Sequence, residues 1–168
     1  CKDTGYIGTE KCHCFKKAIT DLLYLQSNLQ EILDKENFST FSLDYYSSNH
    51  IDPVTGRSAL EAVQTALKAC QDFTVHFSED FQNILLYGDT GVGKTFLSHC
   101  IAKEVMDAGF SVIYFTAAGL FDIFAKCVFG RHSDEEDETM DHIYGCDLLI
   151  IDDLGTELSN SFTTSQLF

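Results

Sequence analysis

The sequence predicts an α/β fold in which helices cover both faces of a parallel sheet. From residue 82 onward, short apolar runs alternate with helical patterns, and this order is typical of βαβ crossovers and parallel strands. A glycine-rich stretch between the first apolar run and the next helix fits G-x-x-x-x-G-K-[ST], the pattern of a phosphate-binding loop. A later apolar run ends in two aspartates. Together these features predict a P-loop nucleotide-binding domain.

Length, composition and charge limit the alternatives. A chain of 168 residues is long enough for one domain, or for a domain with a short appendage. Hydrophobic residues make up 45% and charged residues 22%, which is ordinary globular usage and excludes intrinsic disorder. The net charge of −15 argues against a surface that binds nucleic acid throughout, so we expect any DNA contact to be local.

Two further patterns bear on location. No apolar run reaches the roughly 18 to 20 residues of a membrane span, and the first residues lack the pattern of a signal peptide. We therefore expect a cytoplasmic protein that does not contact a membrane.

The composition changes near Asn37, which divides the chain into a segment 1–36 and a domain 37–168. In the first segment, apolar residues recur at steps of three and four, and this spacing predicts a helix from about Phe15 to Asp34. The residues are Phe15, Ala18, Leu22, Leu25, Leu29 and Ile32. Such a helix either packs on its own domain or forms a short coiled coil or partner-binding helix.

The domain starts with a polar stretch that contains the only proline, Pro53, and is typical of a surface loop. Ser58 and Glu61 have the spacing of a capping box, which predicts a helix to about Phe73. Its inward face would carry Ala59, Val63, Ala66, Leu67 and Cys70. We expect the later elements in this order: strand Ile84–Tyr87, helix Thr95–Ala108, strand Val112–Phe115, helix Leu120–Val128 and strand Leu148–Ile151.

The predicted phosphate loop consists of Gly88, Asp89, Thr90, Gly91, Val92, Gly93, Lys94 and Thr95. Its glycines allow the backbone to curl so that several N–H groups point at the phosphates, and the positive end of the following helix adds to the attraction. Lys94 is expected to reach the β and γ phosphates, and the Thr95 hydroxyl to bind Mg²⁺. The carboxylate of Asp89 must point outward, because phosphate would repel it.

The second half of the expected site is Asp152 and Asp153, at the end of an apolar strand. In open α/β sheets, ligands bind beyond the carboxyl ends of the strands, so both acids should emerge beside the phosphate loop. We expect Asp152 to bind Mg²⁺, directly or through water, and Asp153 to orient or deprotonate the attacking water. Lys94 and Asp153 are thus the predicted catalytic residues of an ATPase.

Three runs, NILLYGDTGVGKTFLSHCIAKE, SVIYFTAAGLFDIF and CDLLIIDDLGTE, resemble AAA+ ATPases of the DnaC/DnaI helicase-loader type, with the IstB-type transposition helper ATPases as relatives. The resemblance covers about residues 37–168. It implies an AAA+ fold, binding of ATP and Mg²⁺, assembly of the full-length protein with itself, and placement of a replicative DNA helicase on single-stranded DNA. It also implies that Phe38 and Phe41 pass near the adenine; from the residues alone, packing under a loop is as good an explanation.

The resemblance also predicts what this chain lacks. Relatives continue with a strand that carries a sensor residue, a further strand and an arginine finger, whereas this chain ends at Phe168 and has only Arg57 and Arg131. We therefore expect a fold that is truncated after the Walker B strand, the apolar run Leu148–Ile151 that leads into Asp152 and Asp153. Such a fold would bind nucleotide and hydrolyse it weakly. Because the first residue is Cys1 and not methionine, we also expect residues upstream.

The seven cysteines fall into two groups. Cys70, Cys100, Cys127 and Cys146 lie singly in apolar segments and are expected to be buried thiols. Cys1, Cys12 and Cys14 lie close together near the start, in a part that resembles the cysteine-rich region of DnaI-type loaders. Three thiols in C-x10-C-x-C spacing suggest a zinc site, with His13 or an upstream cysteine as fourth ligand; ordinary reduced thiols are the alternative.

Residues Asp134 to Glu138 are five consecutive acids. Such a run repels itself and stays solvated, which predicts a mobile exposed loop or else a docking strip for a basic partner. For the protein as a whole, three functions are compatible with the motifs: a helicase-loader or transposition-helper ATPase, a P-loop kinase of a small acceptor, and a module that binds ATP only to order an interaction surface.

Overall fold

The fold is taken from a computed structural model, which describes residues 1–2, 4–8, 10–12, 14–15, 29–129 and 134–155. In chain order the elements are β1 (Tyr6–Ile7), β2 (Glu10–Lys11), α1 (Leu29–Lys35), a 3-10 turn (Leu43–Tyr45), α2 (Ala59–Val75), α3 (Lys94–Asp107), β3 (Val112–Thr116), α4 (Ala117–Phe129), α5 (Asp134–Gly145) and β4 (Leu148–Asp152). The chain divides into two compact units, Ser27–Ala108 and Cys1–Gln26 with Gly109–Phe168. No helix in the described ranges combines the length and the apolar run that a bilayer crossing needs.

The unit Ser27–Ala108 is built on α3, against which both α1 and α2 pack. Its apolar core consists of Leu33, Val63, Cys70, Phe73, Leu97, Cys100, Ile101, Ala102 and Val105, all of them buried. Helix α2 begins with the predicted capping box: the Glu61 N–H donates to Ser58 Oγ at 3.2 Å, and the Ser58 N–H donates to Glu61 Oε2 at 2.8 Å. Of the predicted inward face of α2, Val63 and Cys70 are buried, while Ala59, Ala66 and Leu67 are half-buried.

Helix α1 corrects the predicted apolar seam. The helix is present over Leu29–Lys35, but Leu33 is 1% exposed and Ile32 is 38% exposed. Residue 33, rather than residue 32, therefore packs on α3. Ala18, Leu22 and Leu25, and hence most of the predicted helix, lie outside the described residues.

The predicted strand Ile84–Tyr87 is not formed. Ile84 and Leu86 are half-buried, whereas Leu85 and Tyr87 are 74% and 87% exposed, so the alternation typical of a strand is present without the hydrogen-bonded ladder. A strand needs a neighbour to pair its N–H and C=O groups. Among the described residues of this unit, the other elements are helical except for the isolated bridge between Ile51 and Ser58.

The second unit contains a parallel pair of strands covered by helices. β3 pairs with β4 in the register Val112↔Leu148 to Thr116↔Asp152, which confirms both predicted strands and their parallel direction. Ser111 fixes where the pair begins, because its N–H and its hydroxyl both donate to Asp147 Oδ2, at 2.8 and 2.6 Å. The core of the unit consists of Ile113, Leu120 and Ile143, with Phe115, Ile123, Phe124, Met140, Cys146, Leu149 and Ile151 packed around them.

The acidic run does not form the predicted loop. Asp134 to Glu138 make the first turns of α5, and acidic residues are favourable there because the N-terminal end of a helix carries a partial positive charge. Met140 and Ile143, three residues apart on this helix, pack into the core of the unit. The apolar residues late in the helix therefore provide a reason for it to form that the charge pattern alone hides.

Candidate nucleotide-binding site

The predicted phosphate loop leads directly into the first turn of α3. Gly88, Gly91 and Gly93 have positive φ angles of 144°, 80° and 97°, and Gly93 is the N-cap of the 14-residue helix α3. A residue with a side chain would be strained at Gly93, which is why the motif requires glycine there. The loop therefore has the curled backbone that the sequence predicts, at the positive end of a helix.

Lys94 closes this loop across its mouth. Its Nζ donates to the carbonyl oxygens of Gly88 at 3.0 Å and Asp89 at 2.8 Å. The ammonium group thus lies among the first residues of the loop, although Lys94 follows them by five and six positions. Asp89, Thr90 and Thr95 are exposed, so the Thr95 hydroxyl is accessible in the second residue of the helix.

An aromatic segment supports the loop from another side. Tyr46 donates its hydroxyl to the carbonyl oxygen of Val92 at 3.0 Å, and burial raises the pKa of Tyr46 above its usual value, which keeps the hydroxyl protonated. The Phe41 ring stacks on Tyr46 with a centroid distance of 6.0 Å, within the range of about 4.5 to 7 Å that is typical of aromatic pairs. Phe41 also meets Phe96 edge to face at 5.3 Å.

Of the two phenylalanines that the family resemblance places near adenine, Phe41 is therefore a packing partner of Tyr46 and Phe96. Phe38 is half-buried in the turn after α1. Tyr46 is not among the residues predicted from the sequence, and no local pattern marks it, because its partner Val92 is 46 positions away.

Asp152 and Asp153 lie at the end of β4 in the second unit, where hydrogen bonds orient the Asp152 carboxylate. The carboxylate of Asp152, the last residue of β4, accepts a hydrogen bond from the Tyr114 hydroxyl at Oδ2 (2.6 Å) and from the Asp153 N–H at Oδ1 (2.9 Å). Asp153 is exposed and has a φ of 54°, an uncommon conformation for a residue with a side chain. Backbone outliers of this kind cluster at functional sites.

Tyr114 is a second residue of the site that was not predicted from the sequence. Its contact with Asp152 follows from the register of the strand pair. Tyr114 pairs with Ile150 in the parallel register, and alternate residues of a strand share one face. Ile150 and Asp152 therefore share a face with Tyr114, and the long phenol reaches diagonally to the carboxylate. Register, once known, predicts this contact.

The three cysteines near the start form a cluster. β1 and β2 make an antiparallel hairpin, the Cys12 N–H donates to the Gly5 carbonyl at 2.8 Å, and the Sγ atoms of Cys1, Cys12 and Cys14 lie within 4.8 Å of one another. Cys1 and Cys14 are exposed and Cys12 is buried. The Cys14 thiol, by hydrogen bonding to Cys12, lowers the pKa of Cys12, and the same bond raises the pKa of Cys14. His13 lies outside the described residues.

Of the four cysteines predicted to be buried thiols, Cys70 and Cys100 are buried, whereas Cys127 and Cys146 are only partly so. Cys70 and Cys100 are fully buried, and burial raises their pKa to about 11 and about 12. The Cys70 and Cys100 thiols therefore stay protonated at neutral pH and are unsuited to nucleophilic chemistry.

A model of a known protein family matches this chain. The family model described as IstB-like ATP binding protein matches residues 59–168, about two thirds of the chain, and this range includes the loop Gly88–Thr95 as well as Asp152 and Asp153. No curated protein and no solved structure matches the chain. The matched family belongs to the AAA+ and P-loop superfamily, which agrees with the curled loop before α3 and the parallel strand pair. The chain is therefore a member of the IstB-like ATP-binding family.

Proposed function

We propose that this protein binds ATP with Mg²⁺ at the loop Gly88–Thr95 and hydrolyses the bond to the γ phosphate. The observation that carries the proposal is the loop itself, a curled backbone with left-handed Gly91 and Gly93 that ends at the N-terminus of α3. Backbone N–H groups in such a loop bind phosphate oxygens without any side-chain charge. Membership of an ATP-binding family supports the same ligand.

The residues at hand suit a magnesium nucleotide. Mg²⁺ prefers hydroxyl and carboxylate oxygens. The unit Ser27–Ala108 offers the exposed Thr95 hydroxyl, and the other unit offers the oriented Asp152 carboxylate. A bound magnesium ion would neutralise charge on the phosphate oxygens. Lys94 would exchange its two carbonyl partners for the β and γ phosphates. Asp153 is placed next to the metal ligand in sequence and would accept a proton from the attacking water.

The reaction type is tested by following both products of ATP. We expect free phosphate to form from ATP and Mg²⁺ alone, and Asp153→Asn to abolish its release while ATP still binds. Transfer of the labelled γ phosphate to an added nucleoside, in place of phosphate release, would favour the P-loop kinase. Binding of ATP without turnover of either kind would favour a module that only orders a surface.

For the biological role, we propose that ATP turnover serves to place a replicative DNA helicase on single-stranded DNA. Its support is the likeness of the quoted motifs and of the cysteine-containing start to helicase loaders, together with a net charge of −15, which suits a protein that acts through another protein more than through DNA. The second candidate is a transposition helper, which the description of the matched family favours.

The two roles are separated by their partners. The protein, immobilised with ATP and Mg²⁺, is expected to retain a purified replicative helicase, and Lys94→Ala is expected to retain less. Retention of a transposase with no retention of helicase would replace the loader role with the transposition role. Stimulation of helicase loading on single-stranded DNA gives an independent measurement.

Tyr114 provides a prediction about metal use. Replacing Tyr114 with phenylalanine removes the hydroxyl that holds Asp152 Oδ2, so the carboxylate should lose its fixed orientation. We expect the Mg²⁺ concentration for half-maximal ATP turnover to rise about three- to tenfold, because only part of the roughly 1.5 to 3 kcal/mol that a hydrogen bond to a charged group contributes acts on the metal. Titration of Mg²⁺ at saturating ATP measures this.

The control is Tyr144→Phe, the same chemical change at a tyrosine that is 77% exposed, and it should leave the Mg²⁺ dependence unchanged. Equal Mg²⁺ dependence in the Tyr114→Phe variant and the unchanged protein would remove Tyr114 from the metal site.

We also propose that the cysteine cluster binds Zn²⁺ through Cys1, Cys12 and Cys14. Tetrahedral thiolates at about 2.3 Å from zinc are about 3.8 Å apart, so sulfurs already within 4.8 Å need to move little. The expected result is about one zinc ion per chain by metal analysis, and loss of that zinc in Cys12→Ser. The Cys127→Ser variant is the control, because Cys127 lies on α4 outside the cluster. If the protein is produced in medium that contains zinc and the purified protein then contains no zinc, the proposal is wrong.

A further inference from the structure

The phosphate loop has a fixed attachment on the side of Tyr46. The Tyr46 hydroxyl donates to the Val92 carbonyl at 3.0 Å, one residue before the glycine that caps α3. A Cβ atom placed on Gly93 would lie 2.5 Å from the same hydroxyl oxygen, so Tyr46 approaches this part of the backbone as closely as glycine allows. We name Phe41, Tyr46 and Phe96 the aromatic brace.

The direction of the hydrogen bond determines where the next N–H group points. A peptide unit is planar and trans, so the C=O of Val92 and the N–H of Gly93, which belong to the same unit, point in opposite directions. By holding the carbonyl, Tyr46 turns the Gly93 N–H away from itself. In a loop that binds polyphosphate by converging N–H groups, the direction of a single peptide unit decides whether that donor takes part.

The segment 36–46, which contains Phe41 and Tyr46 of the aromatic brace, is held by further contacts. Glu36, just after α1, bonds through Oε2 to Nδ1 of His99 on α3 at 2.6 Å, and the Thr40 hydroxyl donates to the Lys35 carbonyl at 2.7 Å. The Phe41 ring then packs between Tyr46 and Phe96. The segment 36–46 is thus attached to α3 at its second turn, at its first turn and at the loop before it.

We propose that Tyr46 is a positioning residue of the nucleotide site, which sets the Val92–Gly93 peptide in the orientation that binds the phosphates of ATP. The inference rests on the proposed function, because it assumes that the loop binds a polyphosphate. It adds a residue that lies outside the G-x-x-x-x-G-K-[ST] motif and before the region matched by the family model. Tyr46 contributes to phosphate binding and makes no contact with the base.

The test compares Tyr46→Phe with Tyr45→Phe, the same change at the neighbouring tyrosine, which is 89% exposed. Affinity for ATP is measured with Mg²⁺ present, and affinity for inorganic tripolyphosphate is measured by competition with ATP. We expect Tyr46→Phe to weaken both ligands by the same factor, about three- to tenfold, as for the loss of one hydrogen bond between uncharged groups. Tyr45→Phe should bind both as the unchanged protein does.

Three results would overturn the inference. The first is equal affinity for ATP in Tyr46→Phe and Tyr45→Phe. The second is weaker binding of ATP with unchanged binding of tripolyphosphate, which would indicate a contact with the base. The third is a fall in affinity that is fully explained by a lower unfolding midpoint of Tyr46→Phe. If Tyr46→Phe does not fold, Phe41→Leu takes its place: it keeps the hydroxyl but removes the stacked ring, and should weaken both ligands to a smaller, equal extent. Absence of ATP binding in the unchanged protein would instead refute the proposed function.

Discussion

Replacing Lys94 with alanine is expected to weaken ATP binding about 100-fold, the largest effect on ATP affinity of any single change proposed for this chain. A hydrogen bond to a charged group contributes about 1.5 to 3 kcal/mol, and Lys94 would make such bonds to two phosphates. In the structure its Nζ bridges the carbonyls of Gly88 and Asp89, so the change also removes the group that closes the loop. Isothermal titration with ATP and Mg²⁺ measures the affinity.

The matched control for Lys94→Ala is Lys103→Ala. Lys103 is on the same helix, and its ammonium group pairs with Asp107 four residues later, at 2.5 Å, so its loss should leave ATP affinity unchanged. Helicity of both variants by circular dichroism should equal that of the unchanged protein. Unaltered ATP affinity in Lys94→Ala would mean that Gly88–Thr95 is not a phosphate loop.

Replacing Gly93 with alanine is expected to have the second largest effect on ATP affinity, and it should also lower the stability of the fold. A residue with a side chain at a φ of 97° is strained, by about 1 to 3 kcal/mol. The new Cβ would in addition lie 2.5 Å from the Tyr46 hydroxyl oxygen, so either the loop or Tyr46 must move. We expect the free energy of unfolding to fall by about 2 to 4 kcal/mol when strain and displacement combine, and ATP affinity to fall at least tenfold.

Gly91→Ala separates the two causes. Gly91 also has a left-handed φ, of 80°, but no atom lies within 4 Å of the Cβ that alanine would add. It should therefore show the strain without the clash, and a smaller loss of stability in chemical denaturation. In the Tyr46→Phe background, which lacks the clashing oxygen, Gly93→Ala should cost less stability than in the unchanged protein. Equal losses of stability for Gly93→Ala, for Gly91→Ala and for Gly93→Ala in the Tyr46→Phe background would show that the Tyr46 contact is not close.

Local sequence signals predicted the elements whose causes are local. The capping box at Ser58 and Glu61 predicted the start of α2 within one residue, because each side chain bonds the backbone of the other residue. The apolar runs near residues 112 and 148 correctly predicted parallel strands. The glycines of the phosphate loop correctly predicted a curled backbone, since few other residues accept those φ angles.

Predictions that depended on neighbours far along the chain were less accurate. The run Ile84–Tyr87 has the apolar content of a strand, but strand formation needs a partner for its backbone, and the described residues of its unit offer none beyond one isolated bridge. The charge of Asp134 to Glu138 predicts a solvated loop, but these residues begin a helix. Met140 and Ile143 of that helix pack into a core that the charge pattern does not reveal. In α1, a shift of one residue decided which side chain was buried.

The sequence by itself thus predicted the type of site, because the pattern of a phosphate loop and that of a strand ending in acids are both carried by neighbouring residues. Only the tertiary structure decided which side chains hold that site in position. Tyr46 reaches Val92 across 46 positions and Tyr114 reaches Asp152 across 38. Such contacts depend on how helices and strands pack, and a tyrosine's neighbours along the chain carry no record of where its hydroxyl will find an acceptor.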